Sequence, residues 1–106
     1  MTERLAQLEK LYEADPDDPF VPYGIALEHA KTGDHDAALH WLDRTLEIDV
    51  DYCYAWYQKG RILDEAGRPD EARAALQQGI TQAKQTGTPD SLHAAEEMQA
   101  LLETIG

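Results

Sequence analysis

An internal repeat constrains the fold of this chain more than any other feature. The segment Ala30–Ala38 aligns without a gap on the segment Asp64–Ala72, so that Gly33 falls on Gly67, 34 residues later. The same spacing aligns further small and apolar residues: Ala26 with Gly60, Leu42 with Leu76, and Leu46 with Ile80. A unit of this length that repeats cannot bury its apolar face alone, so it has to stack on its neighbours. The period therefore predicts a stack of helical hairpins.

Apolar spacing, together with glycine and proline punctuation, predicts about six helices. They are expected at residues 2–14, 19–32, 36–48, 52–66, 69–86 and 89–105. Thr2, Asp18 and Thr88 are predicted N-caps, since their side-chain oxygens can accept a free amide of the first turn. Two end helices are predicted to carry apolar stripes: Leu5, Leu8, Leu11 and Tyr12 on the first, and Leu92, Ala95, Met98, Leu102 and Ile105 on the last.

The second unit resembles the tetratricopeptide repeat, whose pattern is W-x2-L-G-x2-Y followed by an alanine and a large apolar residue. The matching residues are Trp56, Gly60, Ala72 and Leu76. Lys59 stands where leucine is usual, and Leu63 where tyrosine is usual. The resemblance implies an all-α solenoid of antiparallel hairpins, of a small bacterial type with two full repeats. Its expected parts within a single domain, 1–106, are an N-terminal helix at 2–14, repeats at 19–52 and 53–86, and a capping helix at 89–105.

Tetratricopeptide proteins generally hold partner peptides in a concave groove lined by the first helix of each hairpin. The resemblance places these residues in the groove: Phe20, Tyr23, Leu27, Lys31, Tyr54, Tyr57, Gln58, Arg61 and Glu65. Tyrosine suits recognition because it offers a large contact area with few rotatable bonds. The alternative is that these aromatic residues pack under the end helices. The Lys, Asn and Arg clamp by which some members hold a terminal carboxylate is absent, because Tyr23, Gly24, Tyr54, Tyr57 and Gln58 occupy the matching positions.

The composition is strongly acidic, with 21 Asp and Glu against nine Lys and Arg and a formal net charge of −12. Such a chain repels phosphate backbones, so no nucleic-acid partner is expected. Solubility explains the acidity, and attraction of basic partners is the alternative. The chain has no membrane-length apolar run and its first residues do not form a signal peptide. With one cysteine, which fits a reducing compartment, the sequence predicts a cytoplasmic protein.

No familiar pattern of catalytic or metal-ligating residues occurs. The phosphate-loop, zinc-protease and serine-hydrolase motifs are absent. No two of the four histidines lie at helical i, i+4 spacing: His29, His35, His40 and His93. Cys53 has no second cysteine, and the acidic turn Asp15–Asp18 lacks the glycine and glutamate of an EF-hand. The chain is therefore predicted to be no enzyme, with no cofactor and no metal.

The predicted function is a non-catalytic adaptor or scaffold that binds a protein or peptide in the concave groove. The alternative is a homo-oligomerising structural repeat protein, or a subunit of a larger complex. The few repeats and the apolar stripe of the last helix motivate that alternative. The expected state in solution is a monomer or a weak homodimer.

Overall fold

The computed structural model describes residues 3–105 and, within them, contains six α-helices and no strand. The helices are α1 (Glu3–Ala14), α2 (Phe20–Lys31), α3 (His35–Ile48), α4 (Cys53–Glu65), α5 (Pro69–Thr86) and α6 (Pro89–Thr104). Each helix packs on the next along the chain, and α4 also packs on α6. The predicted all-α solenoid is confirmed, and the helix bounds differ from the predicted ones by at most one residue. The predicted cap Thr2 lies outside the described residues.

Two equivalent turns close the hairpins. Gly33 and Gly67 have positive φ angles of 78° and 76°, a conformation that strains residues with a Cβ atom. Behind the first glycine, the Asp34 amide donates to the carbonyl of His29 at 3.1 Å. Behind the second, the Arg68 amide makes the same bond with Leu63 at 2.9 Å. These are Schellman closures, which satisfy carbonyl groups that the helix end leaves free.

Trp56 joins α4 to both of the helices that follow it. Its ring is buried, and its Nε1 donates to the carbonyl of Val50 at 2.9 Å. Gly79 on α5 leaves the space that this tryptophan occupies: a Cβ there would lie 2.6 Å from the Met98 sulfur of α6 and still closer to the Trp56 Cβ. The three helices therefore meet at a point that admits no side chain on α5.

Lys59, which stands at the usual leucine position, lies partly exposed beside this core. Its Nζ pairs with Asp43 Oδ1 on α3 at 2.8 Å and lies 5.7 Å from the centroid of the Trp56 ring. That position suits a lysine, because the ammonium group stays at the surface while it contacts an aromatic ring. The departure from the family pattern is thus accommodated by an ion pair between hairpins.

Polar contacts attach α1 to the rest of the stack. The buried carboxylate of Glu28 on α2 pairs with Arg4 Nε at 3.1 Å and with Lys31 Nζ at 3.4 Å. Tyr12 packs edge-on against Trp41, and its hydroxyl accepts a bond from Arg44 Nε at 2.9 Å. The carboxylate that burial would otherwise penalise is therefore compensated by two cations.

One leucine in each of the two predicted apolar stripes is exposed. Leu11 on α1 is 53% exposed and Leu92 on α6 is 44% exposed, whereas Leu5 and Met98 of the same predicted stripes are buried. Each exposed leucine lies six residues from its buried partner, which rotates it by about 120° around the helix. The arc that neighbouring helices cover on α1 and α6 is narrower than that rotation, so both leucines face outward.

Candidate protein-interaction surface

Helices α2 and α4 share one surface, and tyrosine is its commonest residue. Tyr23 on α2 is half-buried and interacts with Gln58 and Arg61 on α4. Burial raises the pKa of Tyr23 above its ordinary value, while a hydrogen bond with Gln58 and the charge of Arg61 lower it. Further along α4, the rings of Tyr54 and Tyr57 meet edge to face with their centroids 6.5 Å apart. The two helices therefore present a joined aromatic and polar surface.

Both cations of this surface already have carboxylate partners. Arg61 donates from Nη1 to Glu65 Oε1 at 2.7 Å, and from Nε and Nη2 to Gln58 Oε1 at 2.9 and 2.7 Å. Lys31 pairs with Glu28 at 3.4 Å. Beside them opens a cavity of about 350 Å³ lined by Leu27, Ala30, Lys31 and Arg61. A partner's carboxylate would have to compete with Glu65 for Arg61, so charge alone does not make this cavity an anion site.

Of the nine predicted groove residues, eight are connected to one another through these contacts and cavities. They are Tyr23, Leu27, Lys31, Tyr54, Tyr57, Gln58, Arg61 and Glu65. Phe20 lies at the first turn of α2 and is 53% exposed. In the part of the chain that the structure describes, its ring contacts no other aromatic ring and lines neither of the two cavities of this surface.

A second cavity lies at the end of the same surface, where α4 and α6 begin. It measures about 350 Å³, and we call it the tyrosine–aspartate cavity after six residues of its lining: Tyr23, Tyr52, Tyr54, Asp49, Asp51 and Asp90. The rings of Tyr23 and Tyr52 lie 4.9 Å apart at an angle of 43°. Because Tyr23 and Tyr54 belong to both, the cavity is continuous with the predicted groove.

Burial and negative charge act together on the ionisable groups of this cavity. Burial raises the pKa of Tyr54, and the carboxylates of Glu97 and Asp90 raise it further. The pKa of Cys53 is raised by burial first and then by Asp51 and Asp49. Both shifts favour the protonated, neutral group, as an excess of nearby negative charge does. The lining holds three aspartates and no lysine or arginine, which makes the cavity a region of negative potential.

Sequence reasoning missed the acidic part of this cavity. Asp49 and Asp51 lie in the turn before α4, and their positions match Asp15 and Asp17 in the repeat register. In both turns the second amide donates to the first carboxylate, at 3.0 Å for Asp51 and 3.3 Å for Asp17. The Asp-x-Asp pattern at the repeat spacing was a readable signal of a shared turn. The approach of Asp90 from α6 had no such signal, because it depends on tertiary packing.

Within residues 3–105, no three His, Cys, Asp or Glu side chains are grouped so as to hold a metal ion. None of the six described helices combines the length and apolarity needed to cross a membrane. His93 lies 3.4 Å from Glu97, His35 lies 3.9 Å from Glu65, and the His40 ring meets a tryptophan edge.

Stacked hairpins whose helices share one face define a helical repeat protein of the α-solenoid class. The chain belongs to the tetratricopeptide repeat family, whose model matches residues 29–102. The fold of this family is known as a non-catalytic protein-interaction fold. The two-repeat pattern that carried the resemblance therefore identified the family correctly.

Relatives of different length share this region. The TPR repeat-containing protein PA0015 of Pseudomonas aeruginosa is 29% identical over 98 residues, which cover 92% of this chain and 90% of that protein. The DnaJ homolog subfamily C member 3 of Rattus norvegicus is 28% identical over 105 residues, which cover 95% of this chain and 21% of that protein. The chain thus spans about a fifth of the length of this second relative.

A solved structure shows the same fold at low identity. PcrH, crystallised in complex with the chaperone-binding region of PopD, superposes with a TM-score of 0.87 and 17% identity. The match covers 95% of this chain and 74% of PcrH. At this identity the likeness concerns the path of the helices.

Proposed function

We propose that this chain is a non-catalytic adaptor that binds a peptide or protein segment in the groove formed by α2 and α4. The proposed contact residues are Phe20, Tyr23, Leu27, Lys31, Tyr54, Tyr57, Gln58 and Arg61. Residues 1–106 act as one domain, with repeats at 19–52 and 53–86. The partner is a protein rather than a nucleic acid or a membrane, and the net charge of −12 supports that choice. A cytoplasmic location fits the single, unpaired cysteine.

The observation that carries the proposal is the continuity of the aromatic surface across two hairpins. Tyr23, Tyr54 and Tyr57 remain partly exposed, although each packs against neighbours that restrict its movement. Ordered, amphipathic rings lose little entropy on binding and so contribute much of the affinity in protein interfaces. The PcrH complex supports the proposal by analogy, because that protein of similar fold binds a segment of PopD.

Selection from a displayed library of random 16-residue peptides tests the groove. We expect selected peptides to bind the purified chain, and Leu27→Ala with Tyr57→Ala to weaken them by about tenfold or more, as truncation of central interface residues does. Dissociation constants are measured by fluorescence anisotropy. Leu27 and Tyr57 suit this test because both are only half-buried.

The matched control is Leu11→Ala, a leucine exposed on α1 that lines neither cavity of the surface. It should bind the selected peptides as the unaltered chain does. Circular dichroism establishes that all variants remain helical. Peptides that bind the groove variant and the control equally well, or a library that yields no binders, would refute the proposed groove.

Self-association is the second candidate function, and the exposed Leu92 favours it. Leu92 lines an open cavity of about 360 Å³ with Ile80 and Ala95, at the end of the stack where a further helix could pack. Light scattering over a hundredfold dilution series distinguishes the two functions. A dimer that Leu92→Gln abolishes would support self-association, and a monomer throughout would exclude it.

A further inference from the structure

The tyrosine–aspartate cavity has an unbalanced negative charge. Asp49, Asp51 and Asp90 contribute three carboxylates, and the lining contains no lysine or arginine. The N-termini of α4 and α6 also border the cavity, and each helix dipole contributes about half a positive charge there. Three full negative charges outweigh these two partial positive charges. The cavity is therefore suited to a cation.

The walls narrow the choice of cation. Tyrosine rings attract a cation that lies over their faces, and three tyrosines line this cavity. The three aspartates border the cavity without forming a metal-binding group within the described residues, so a metal ion fits poorly. A volume of about 350 Å³ is near the lower limit of ligand sites, which span about 300–1,000 Å³. One long side chain fits this space better than a folded segment.

We infer that the tyrosine–aspartate cavity binds the lysine or arginine side chain of a peptide segment that lies in the groove. The inference rests on the proposed function and specifies the chemistry of its partner. It also gives the acidic composition a local role, because the carboxylates at this end of the groove select a basic residue. Continuity through Tyr23 and Tyr54 lets one extended segment reach both the groove and the cavity.

Amino-acid derivatives test the cavity without a known partner. The probe is Nα-acetyl-lysine N-methylamide, and its neutral counterpart is the norleucine derivative, which has the same carbon chain without the ammonium group. We expect the lysine compound to shift the backbone amide NMR signals of Cys53, Tyr54 and Ser91, which line the cavity. The norleucine compound should shift them much less at equal concentration. Equal shifts would overturn the inference.

Charge-neutral variants give the second measurement. Asp51→Asn with Asp90→Asn keeps side-chain size, and Asp49 is left unchanged because its carboxylate holds the amide of Asp51. The double variant should raise the dissociation constant of the lysine compound by about fivefold or more, since two exposed attractions are lost. The control Glu9→Gln with Glu13→Gln removes the same charge from the exposed face of α1 and should have little effect. Similar loss in both variants would contradict a local site.

The same reagents separate this inference from the proposed groove. In one outcome, library peptides depend on Leu27 and Tyr57 but show no preference for lysine or arginine, and their affinity is unchanged in the aspartate variant. That outcome would overturn the cavity inference and leave the groove standing. Binding of the lysine compound in the cavity, with no peptide dependent on the groove residues, would refute the groove and leave a cation site.

Discussion

Gly79 sets how closely α5 approaches α4 and α6. Its position is buried, and an added Cβ would collide with the Cβ of Trp56, an atom fixed by the backbone of α4. We therefore expect Gly79→Ala to destabilise the chain by about 1 kcal/mol, because an overpacking cost of about 2 kcal/mol exceeds the gain of about 1 kcal/mol in helix propensity. Urea unfolding followed by circular dichroism measures the difference.

Gly24 supplies the matched comparison at the residue scale. A Cβ at Gly24 would meet only the terminal methyl groups of Leu8, at 3.3 Å, and these can move. The free energy of unfolding of Gly24→Ala should therefore lie within about 0.5 kcal/mol of that of the unaltered chain, or be slightly higher. A Gly79→Ala chain as stable as Gly24→Ala would show that the helices can separate without cost.

Individual residues differed in how far the sequence could predict them. The role of Gly33 and Gly67 could be predicted, because each follows a helical apolar stripe at the same position of the 34-residue repeat. The pairing of Arg61 with Glu65 was also available from their spacing of one helical turn. Tyr52 was not, since it lies just before α4, where helical periodicity does not fix a side-chain direction. Its contact with Tyr23 depends on how two hairpins pack.

Helix α6 begins with a side-chain cap that ties it to α5. The amide of Ser91 donates a hydrogen bond to Thr88 Oγ1 at 3.1 Å. The buried hydroxyl of Ser91 donates to the carbonyl of Ala83 on α5 at 2.9 Å. We expect Thr88→Ala to reduce the free energy of unfolding by about 1 kcal/mol, because a first-turn amide loses its partner. Thermal or urea unfolding of the intact chain measures this loss.

Thr81 is the appropriate control for this element. It lies inside α5, is exposed, and its hydroxyl donates to the carbonyl of Gln77 one turn earlier. Thr81→Ala should be neutral or slightly stabilising, because alanine has the higher helix propensity at an exposed interior position. Thr88→Ala should thus lower the free energy of unfolding, whereas Thr81→Ala should not. If the two substitutions change the free energy of unfolding equally, the capping hydrogen bond of Thr88 contributes nothing to stability.

The helices themselves were predictable because their ends carry local signals. Pro69, Thr88 and Pro89 mark beginnings, and Gly87 adopts a positive φ of 69° where α5 ends. The faces of the end helices were less predictable. Leu11 and Leu92 continue an apolar stripe in sequence, yet each stripe is wider than the contact made by its helix. Local sequence determines where a helix forms. How much of its surface is buried depends on how many neighbouring helices pack against it.

At the scale of the whole molecule, excess negative charge opposes folding. The chain carries 21 acidic residues and nine Lys and Arg, and six of these cations already form ion pairs within residues 3–105. Bringing the remaining carboxylates together on a small surface costs free energy that salt can screen. Salt also weakens the exposed pairs, but each of those contributes little. Repulsion should therefore dominate the response.

We accordingly expect the melting temperature to rise by about 4–8 °C between 0.02 and 0.5 M NaCl, which corresponds to about 1 kcal/mol in a domain of this size. Differential scanning calorimetry measures it. The control neutralises four exposed carboxylates that have no ion pair within the described residues: Glu9→Gln, Glu13→Gln, Glu96→Gln and Glu103→Gln. This variant should melt higher than the unaltered chain at low salt and respond less to added salt. A melting temperature that falls with salt would mean that the ion pairs between and within the hairpins outweigh the repulsion due to the net charge. If the two chains respond equally to salt, the rise in melting temperature would instead come from the effect of the ions on apolar burial.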